Sequence, residues 1–162
     1  VVDSSALSEQ VVGDVLMSAY DSAGQRCSAL RVLCVQEDSA DHVLTMLRGA
    51  MRELSVGNPD RLSVDVGPVI DAEARNGIQR HIETLRTAGH RVDQVELNGE
   101  CRHGTFVAPT IIEIGRVADV EREVFGPILH IYRYKAGELD EIGNRGVAAR
   151  AATCGAWVTE RT

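Results

Sequence analysis

The apolar residues of this chain switch repeatedly between helical spacing and short unbroken runs. Leu7, Val11, Val12, Val15 and Leu16 fall on one helical face up to about Tyr20, with Ser4 or Ser5 placed to cap the start. Asp21 to Ser28 breaks that rhythm and predicts a turn. Leu30 to Gln36 reads Leu-Arg-Val-Leu-Cys-Val-Gln, a run typical of a strand buried in a parallel sheet. Ser39 is positioned to cap a second helix with Val43, Leu44, Leu47, Met51 and Leu54 on one face, ended by Gly57-Asn58-Pro59. After the extended segment Asp65 to Ile70, Asp71 caps a helix that turns Ile78, Ile82 and Leu85 inward and closes at Gly89.

The second half is richer in strands. Val92 to Leu97 and Thr105 to Glu113 are predicted as strands around the turn Asn98-Gly99, with Pro109 consigning the second to an edge or a bulge. A short helix over 117–122 precedes a clear strand at Ile128 to Tyr134. A helix over Leu139 to Arg150 and a weak strand over Gly155 to Thr159 complete the pattern. Strands alternating with helices predict a single α/β domain with a largely parallel sheet. With 162 residues, 44% of them hydrophobic, the chain has enough apolar material for a real core.

Charge and cysteine usage narrow the function. A formal net charge of −7 disfavours nucleic acid or an anionic membrane as a partner. Lys135 is the only lysine, which excludes a Gly-Lys phosphate loop and disfavours a Schiff-base lysine. Cys27, Cys34, Cys101 and Cys154 have neither zinc-site nor disulfide-framework spacing, and read as reduced thiols of a cytoplasmic protein. The five histidines, His42, His81, His90, His103 and His130, share no metal-ligand spacing, and no metal is expected. There is no signal-peptide pattern and no apolar run long enough to span a bilayer. Both ends look cut from something longer.

One cysteine stands apart. Cys34 lies inside an apolar strand, and Cys101 and Cys154 are also expected to be core residues. Cys27 sits instead in Gly24-Gln25-Arg26-Cys27-Ser28, on a turn after an amphipathic helix, where a thiol can face a cleft and act as a nucleophile. Arg26 and Arg31 are expected in structural ion pairs, and Asp71-Ala72-Glu73 as helix-start capping.

The segments Gly24-Gln25-Arg26-Cys27, Asp65-Val66-Gly67-Pro68-Val69-Ile70-Asp71, Phe106-Val107-Ala108-Pro109-Thr110 and Glu123-Val124-Phe125-Gly126-Pro127 together resemble, in order and spacing, the catalytic domain of the NAD(P)-dependent aldehyde dehydrogenase superfamily. The match runs from Val1 to about Asn144. The stretches Asp21 to Cys34, Gly57 to Leu62 and Asp65 to Ala74 are most similar to the glutamate γ-semialdehyde dehydrogenase module of the bacterial proline utilization A family. The resemblance implies a three-layer α/β/α fold and NAD as cofactor. It implies an aldehyde as substrate, oxidised through a cysteine thioester, and a proline dehydrogenase domain elsewhere in the parent protein.

It also assigns roles. Cys27 is the nucleophile. Ser28 helps bind the substrate carboxylate, or merely satisfies a turn. Glu123 holds the nicotinamide ribose hydroxyls, or is a solvated acid. Phe125 packs near the nicotinamide, or is core. Tyr20 lines the aldehyde tunnel, or is core. The family's cofactor domain, general-base glutamate and oxyanion-hole asparagine belong before Val1, and its carboxylate-clamping loop after Thr162. The isolated chain is therefore expected not to turn over. From Arg145 to Gly155 the sequence departs from the family pattern. Open backbone at the Asn98-Gly99 hairpin and the Pro109 strand suggests a homodimer. The alternatives are an aldehyde dehydrogenase of another substrate class and a non-catalytic structural remnant.

Overall fold

The computed structural model describes residues 1–138. Helix α1, Ser8–Tyr20, buries Val11, Val12, Val15, Ala19 and Tyr20, as their spacing requires. It begins later than Ser4 and Ser5, because the Ser5 amide and hydroxyl both donate to the Asp3 carboxylate and form a local turn instead. Strand β1, Val32–Gln36, runs directly into helix α2, Glu37–Arg52. Ser39 does not cap α2. Glu37 and Asp38 occupy its first turn, where carboxylates complement the helix dipole. Helix α3, Ala72–Thr87, is capped as expected, with the Ala74 amide donating to Asp71 Oδ1 at 2.7 Å.

Strands β2, Arg91–Gln94, β3, Thr110–Ile114, and β4, Ile128–Tyr134, complete a sheet of order β1-β4-β3-β2. The β1–β4 and β4–β3 pairs are parallel, and the β2–β3 pair is antiparallel. Val2 adds a parallel bridge to the outer side of β1, giving its N–H to the Cys34 carbonyl at 2.8 Å.

The two sides of the sheet carry different helices. Arg48 of α2 pairs with Asp93 and Glu113 on one face, while His81 of α3 meets His130 on the other. Glu113 stands opposite Ile131, the residue after His130, so the pleat points the two groups to opposite faces. The result is helix, sheet, helix, the three-layer α/β/α fold. One core runs through it from Val11 and Val15 of α1, through Leu44 and Leu47 of α2 and the sheet, to Ile78 and Ile82 of α3.

Two strand expectations change. Asn98-Gly99 is not a hairpin turn: the Asn98 side chain accepts from the Glu100 and Cys101 amides and caps a 3₁₀ turn, Gly99–His103, so β2 and β3 are joined by a long loop. Pro109 does not make β3 an edge. It lies just before the strand, where no N–H is needed, and β3 is flanked on both sides. The helix predicted after Val117 is a single 3₁₀ turn, Val117–Asp119. Cys34, Cys101 and Tyr20 are buried core residues. Tyr20 gives its hydroxyl to the Thr110 carbonyl at 3.2 Å, which leaves it no tunnel to line. The predicted helix over Leu139 to Arg150, the strand over Gly155 to Thr159 and Cys154 lie outside the described residues. Among the described residues no helix is long and apolar enough to cross a membrane.

Candidate active site

The cysteine loop is shaped by three consecutive left-handed residues. Ser22, Ala23 and Gly24 have φ of 55°, 51° and 64°, and they fold the chain back over the end of α1. For Ser22 and Ala23 this conformation costs about 1 kcal/mol each, a strain held by the surrounding contacts. Gly24 has a second reason to lack a side chain: a Cβ there would overlap the Gly126 carbonyl. The Gly24 loop and the Gly126-Pro127 turn, about a hundred residues apart in sequence, therefore lie backbone against backbone.

Beyond that bend the chain makes a tight turn, with the Ala29 N–H donating to the Arg26 carbonyl at 3.2 Å. Cys27 and Ser28 are its two central residues, and both are exposed. The Cys27 N–H takes no acceptor among the described residues. Arg26 turns the other way and donates to the Met17 and Ser18 carbonyls at 2.9 and 3.3 Å, placing a cation at the C-terminal end of α1. A cleft of about 340 Å³ opens alongside, lined by Arg26, Ser28, Val11, Val15, Met17 and Leu33. Cys27 is not part of its wall.

Two side chains tie the separated motifs together. Gln25 gives its amide N–H to the Pro68 carbonyl at 3.3 Å, and its carbonyl accepts the Ile70 N–H at 2.8 Å. Arg31 donates to the Gly24 carbonyl at 2.6 Å and the Arg26 carbonyl at 3.0 Å. Its Nε lies 3.5 Å from Glu123 Oε1, and its guanidinium sits 4.6 Å from the Phe125 ring centroid. Phe125 is 47% exposed, so it is not core. One guanidinium thus grips the cysteine loop from behind while holding an acid and an open aromatic ring beside it.

Of the four predicted site residues, Glu123 and Phe125 come together directly on Arg31. Cys27 and Ser28 reach the same neighbourhood through the backbone that Arg31 holds. Arg31 does form the ion pair expected of it, but its part in joining the loops was not visible in sequence. Nor was the part of Gln25, although it stands in the same motif as Cys27. Among the described residues no cluster of three or more His, Cys, Asp or Glu forms a metal site.

The family model of the aldehyde dehydrogenase family matches residues 1–150. The chain belongs to that family. It is 60% identical to the bifunctional protein PutA of Klebsiella aerogenes over 147 residues, covering 88% of this chain and 11% of that protein. It is 33% identical to a 1-pyrroline-5-carboxylate dehydrogenase of Bacillus mycoides over 137 residues, 83% of this chain and 26% of that one. A crystal structure of bifunctional proline utilization A superposes with a TM-score of 0.82 at 44% identity, covering 88% of this chain and 14% of that one. Betaine aldehyde dehydrogenase of Staphylococcus aureus, solved in complex with NAD+, gives 0.79 at 26% identity, over 83% and 28% of the two chains. The chain thus spans only about a tenth of the length of the PutA proteins it matches.

Proposed function

We propose that this chain is the thiol-bearing part of the catalytic domain of an NAD-dependent aldehyde dehydrogenase, within a longer multifunctional protein of proline catabolism. The substrate is glutamate γ-semialdehyde and the product glutamate. The observation that carries the reading is the convergence of three motifs on an exposed cysteine: Gln25 binds the Pro68–Ile70 segment, Gly24 abuts Gly126, and Arg31 joins the loop to Glu123 and Phe125. Identity to PutA and to a 1-pyrroline-5-carboxylate dehydrogenase supports the substrate, because pyrroline-5-carboxylate is the cyclised form of the semialdehyde.

In this reading the Cys27 thiolate attacks the aldehyde carbon and forms a thiohemiacetal. The Cys27 N–H donates to the new oxyanion. NAD serves as the hydride acceptor, which turns the thiohemiacetal into a thioester that water then hydrolyses to the acid. The residues suit that cofactor: a carboxylate at Glu123 can accept from both hydroxyls of a ribose diol, and the exposed ring of Phe125 offers a flat apolar face. Ser28, exposed next to Cys27 on the same turn, donates its hydroxyl to the substrate's far carboxylate. A cytoplasmic setting suits a free nucleophilic thiol. Pairing of two copies through the outer edge of β2, which no described strand covers, belongs to the same proposal.

The test uses the protein at the full length of its PutA relatives. Cys27→Ala is expected to lower NAD-dependent oxidation of glutamate semialdehyde by roughly a thousandfold or more. Ser28→Ala should raise KM for the semialdehyde about tenfold or more, and leave the rate on a long aliphatic aldehyde unchanged. A Ser28→Ala enzyme that loses both substrates equally removes the carboxylate role. A wild-type enzyme that prefers the aliphatic aldehyde assigns the site to another substrate class.

A further inference from the structure

Behind the Arg31 clamp lies a histidine pair that the reaction does not use. His130 of β4 is only 2% exposed. Its Nδ1 lies 3.0 Å from the Arg31 carbonyl, and its Nε2 lies 2.9 Å from Nε2 of His81 on α3. The rings meet edge to face, with centroids 5.1 Å apart and planes at 77°. The His130 backbone N–H also donates to the Arg31 carbonyl, at 2.9 Å. Two donors from one residue therefore converge on the peptide whose side chain grips Gly24, Arg26, Glu123 and Phe125.

Hydrogen-bond chemistry fixes the protons. A carbonyl only accepts, so His130 must carry its proton on Nδ1. A neutral imidazole then has its lone pair on Nε2, and His81 must supply the proton between the rings from its own Nε2. We propose that this pair is a positioning latch for the candidate active site: neutral, it fastens α3 to β4 and pins Arg31, and acid releases it. The inference stands on the histidine geometry, whatever substrate the site takes.

The surroundings oppose charge on the latch. Burial holds both imidazoles below the ordinary histidine range, His130 down to about 4. Arg122, from the segment ahead of Glu123, disfavours a proton on His81, while Glu121 beside it favours one. Arg31 and His90 act against a proton on His130, His90 itself lying 3.9 Å from Asp119. The Arg31 carbonyl favours the charged form of His130, but less strongly than burial disfavours it. A proton on His130 would aim Nε2–H at the Nε2–H of His81, so His81 must change tautomer or turn away. Full protonation sets two N–H groups against each other and breaks the contact.

Nitrogen-15 NMR of the histidines in the 162-residue chain near neutral pH should find His130 as the Nδ1–H tautomer and His81 as the Nε2–H tautomer. Amide exchange over residues 24–31 and 121–127, corrected for intrinsic rate, provides the second readout. Between about pH 7 and about pH 4.5, protection there should fall roughly tenfold or more in the wild type. His130→Asn, whose amide can still donate to the Arg31 carbonyl but does not titrate, should show less than about a twofold fall. The Nε2–H tautomer at His130, an unchanged wild-type protection profile, or an equal loss in His130→Asn each overturns the latch. Should His130→Asn fail to fold, the tautomers and the wild-type profile still decide.

Discussion

Among the described residues, Cys27 differs from Cys34 and Cys101 in exposure. Burial pushes the thiols of Cys34 and Cys101 up, away from the reactive thiolate, whereas Cys27 is open to solvent on a turn. Brief treatment of the native chain with iodoacetamide near neutral pH, followed by peptide mapping, should therefore modify Cys27 roughly ten times faster than Cys34 or Cys101, or more. Equal, slow labelling of Cys27, Cys34 and Cys101 would favour a non-catalytic remnant. Gly24 is the residue on which the loop depends most. Gly24→Ala combines a left-handed φ of 64° with overlap on the Gly126 carbonyl. It should cost about 3 kcal/mol or more in urea unfolding, while Gly13→Ala, a helix position where a Cβ meets nothing within 4 Å, should be neutral or stabilising. The exposed turn that carries Cys27 was legible in sequence because its motif is local. The clamp by Arg31 was not, because its partner Glu123 is 92 residues away.

At the scale of elements, periodicity was a good guide wherever burial on one face dictated the pattern. α1, β1, α2, α3 and β4 all lie where their apolar spacing puts them. Two of the misplaced features were decided by a single polar side chain. Asp3 took Ser5, one of the two serines expected to cap α1, and Asn98 capped a 3₁₀ turn where a hairpin was expected. Pro109 misled because one residue separates the start of an interior strand from its inside. The α3–β4 contact adds a pH dependence. The folded-state value for His130 lies near 4, below the ordinary 6.5, so between those two values the unfolded chain binds more protons than the folded one. Stability is full above about pH 6.5 and falls as the solution is acidified toward pH 4, by about 3 kcal/mol from this group; His81 shifts in the same direction. Urea midpoints measured across that range should fall in the wild type and flatten in His130→Asn. An unchanged slope in the variant would trace the acid sensitivity to other groups.

For the molecule as a whole, the mostly parallel sheet does more than carry the core. It brings the C-terminal side of α1, the lead-in to β1 and the lead-in to β4 to one end, and three of the four family segments meet there. The parallel pairing of β1 with β4, Val32 opposite His130, sets Arg31 and the 123–127 segment side by side. On the opposite face Arg48 bridges Asp93 and Glu113, with Arg91 and Arg133 completing a charged network beneath α2. The layered architecture was readable from alternating strands and helices. The mutual approach of the motifs was not, since strand order is a long-range outcome of packing. Family membership links the two levels: the convergence seen in the fold is where the resemblance assigns a nucleophile and a cofactor-binding acid.

The central claim is that Cys27 carries the substrate's acyl group during turnover. Acid-quenching the full-length protein during oxidation of glutamate semialdehyde with NAD, then mapping peptides by mass, tests it most directly. A glutamyl thioester on the Cys27 peptide, absent without NAD, is the predicted result. Continued turnover with the acyl group on another residue, or with none on Cys27, would contradict it.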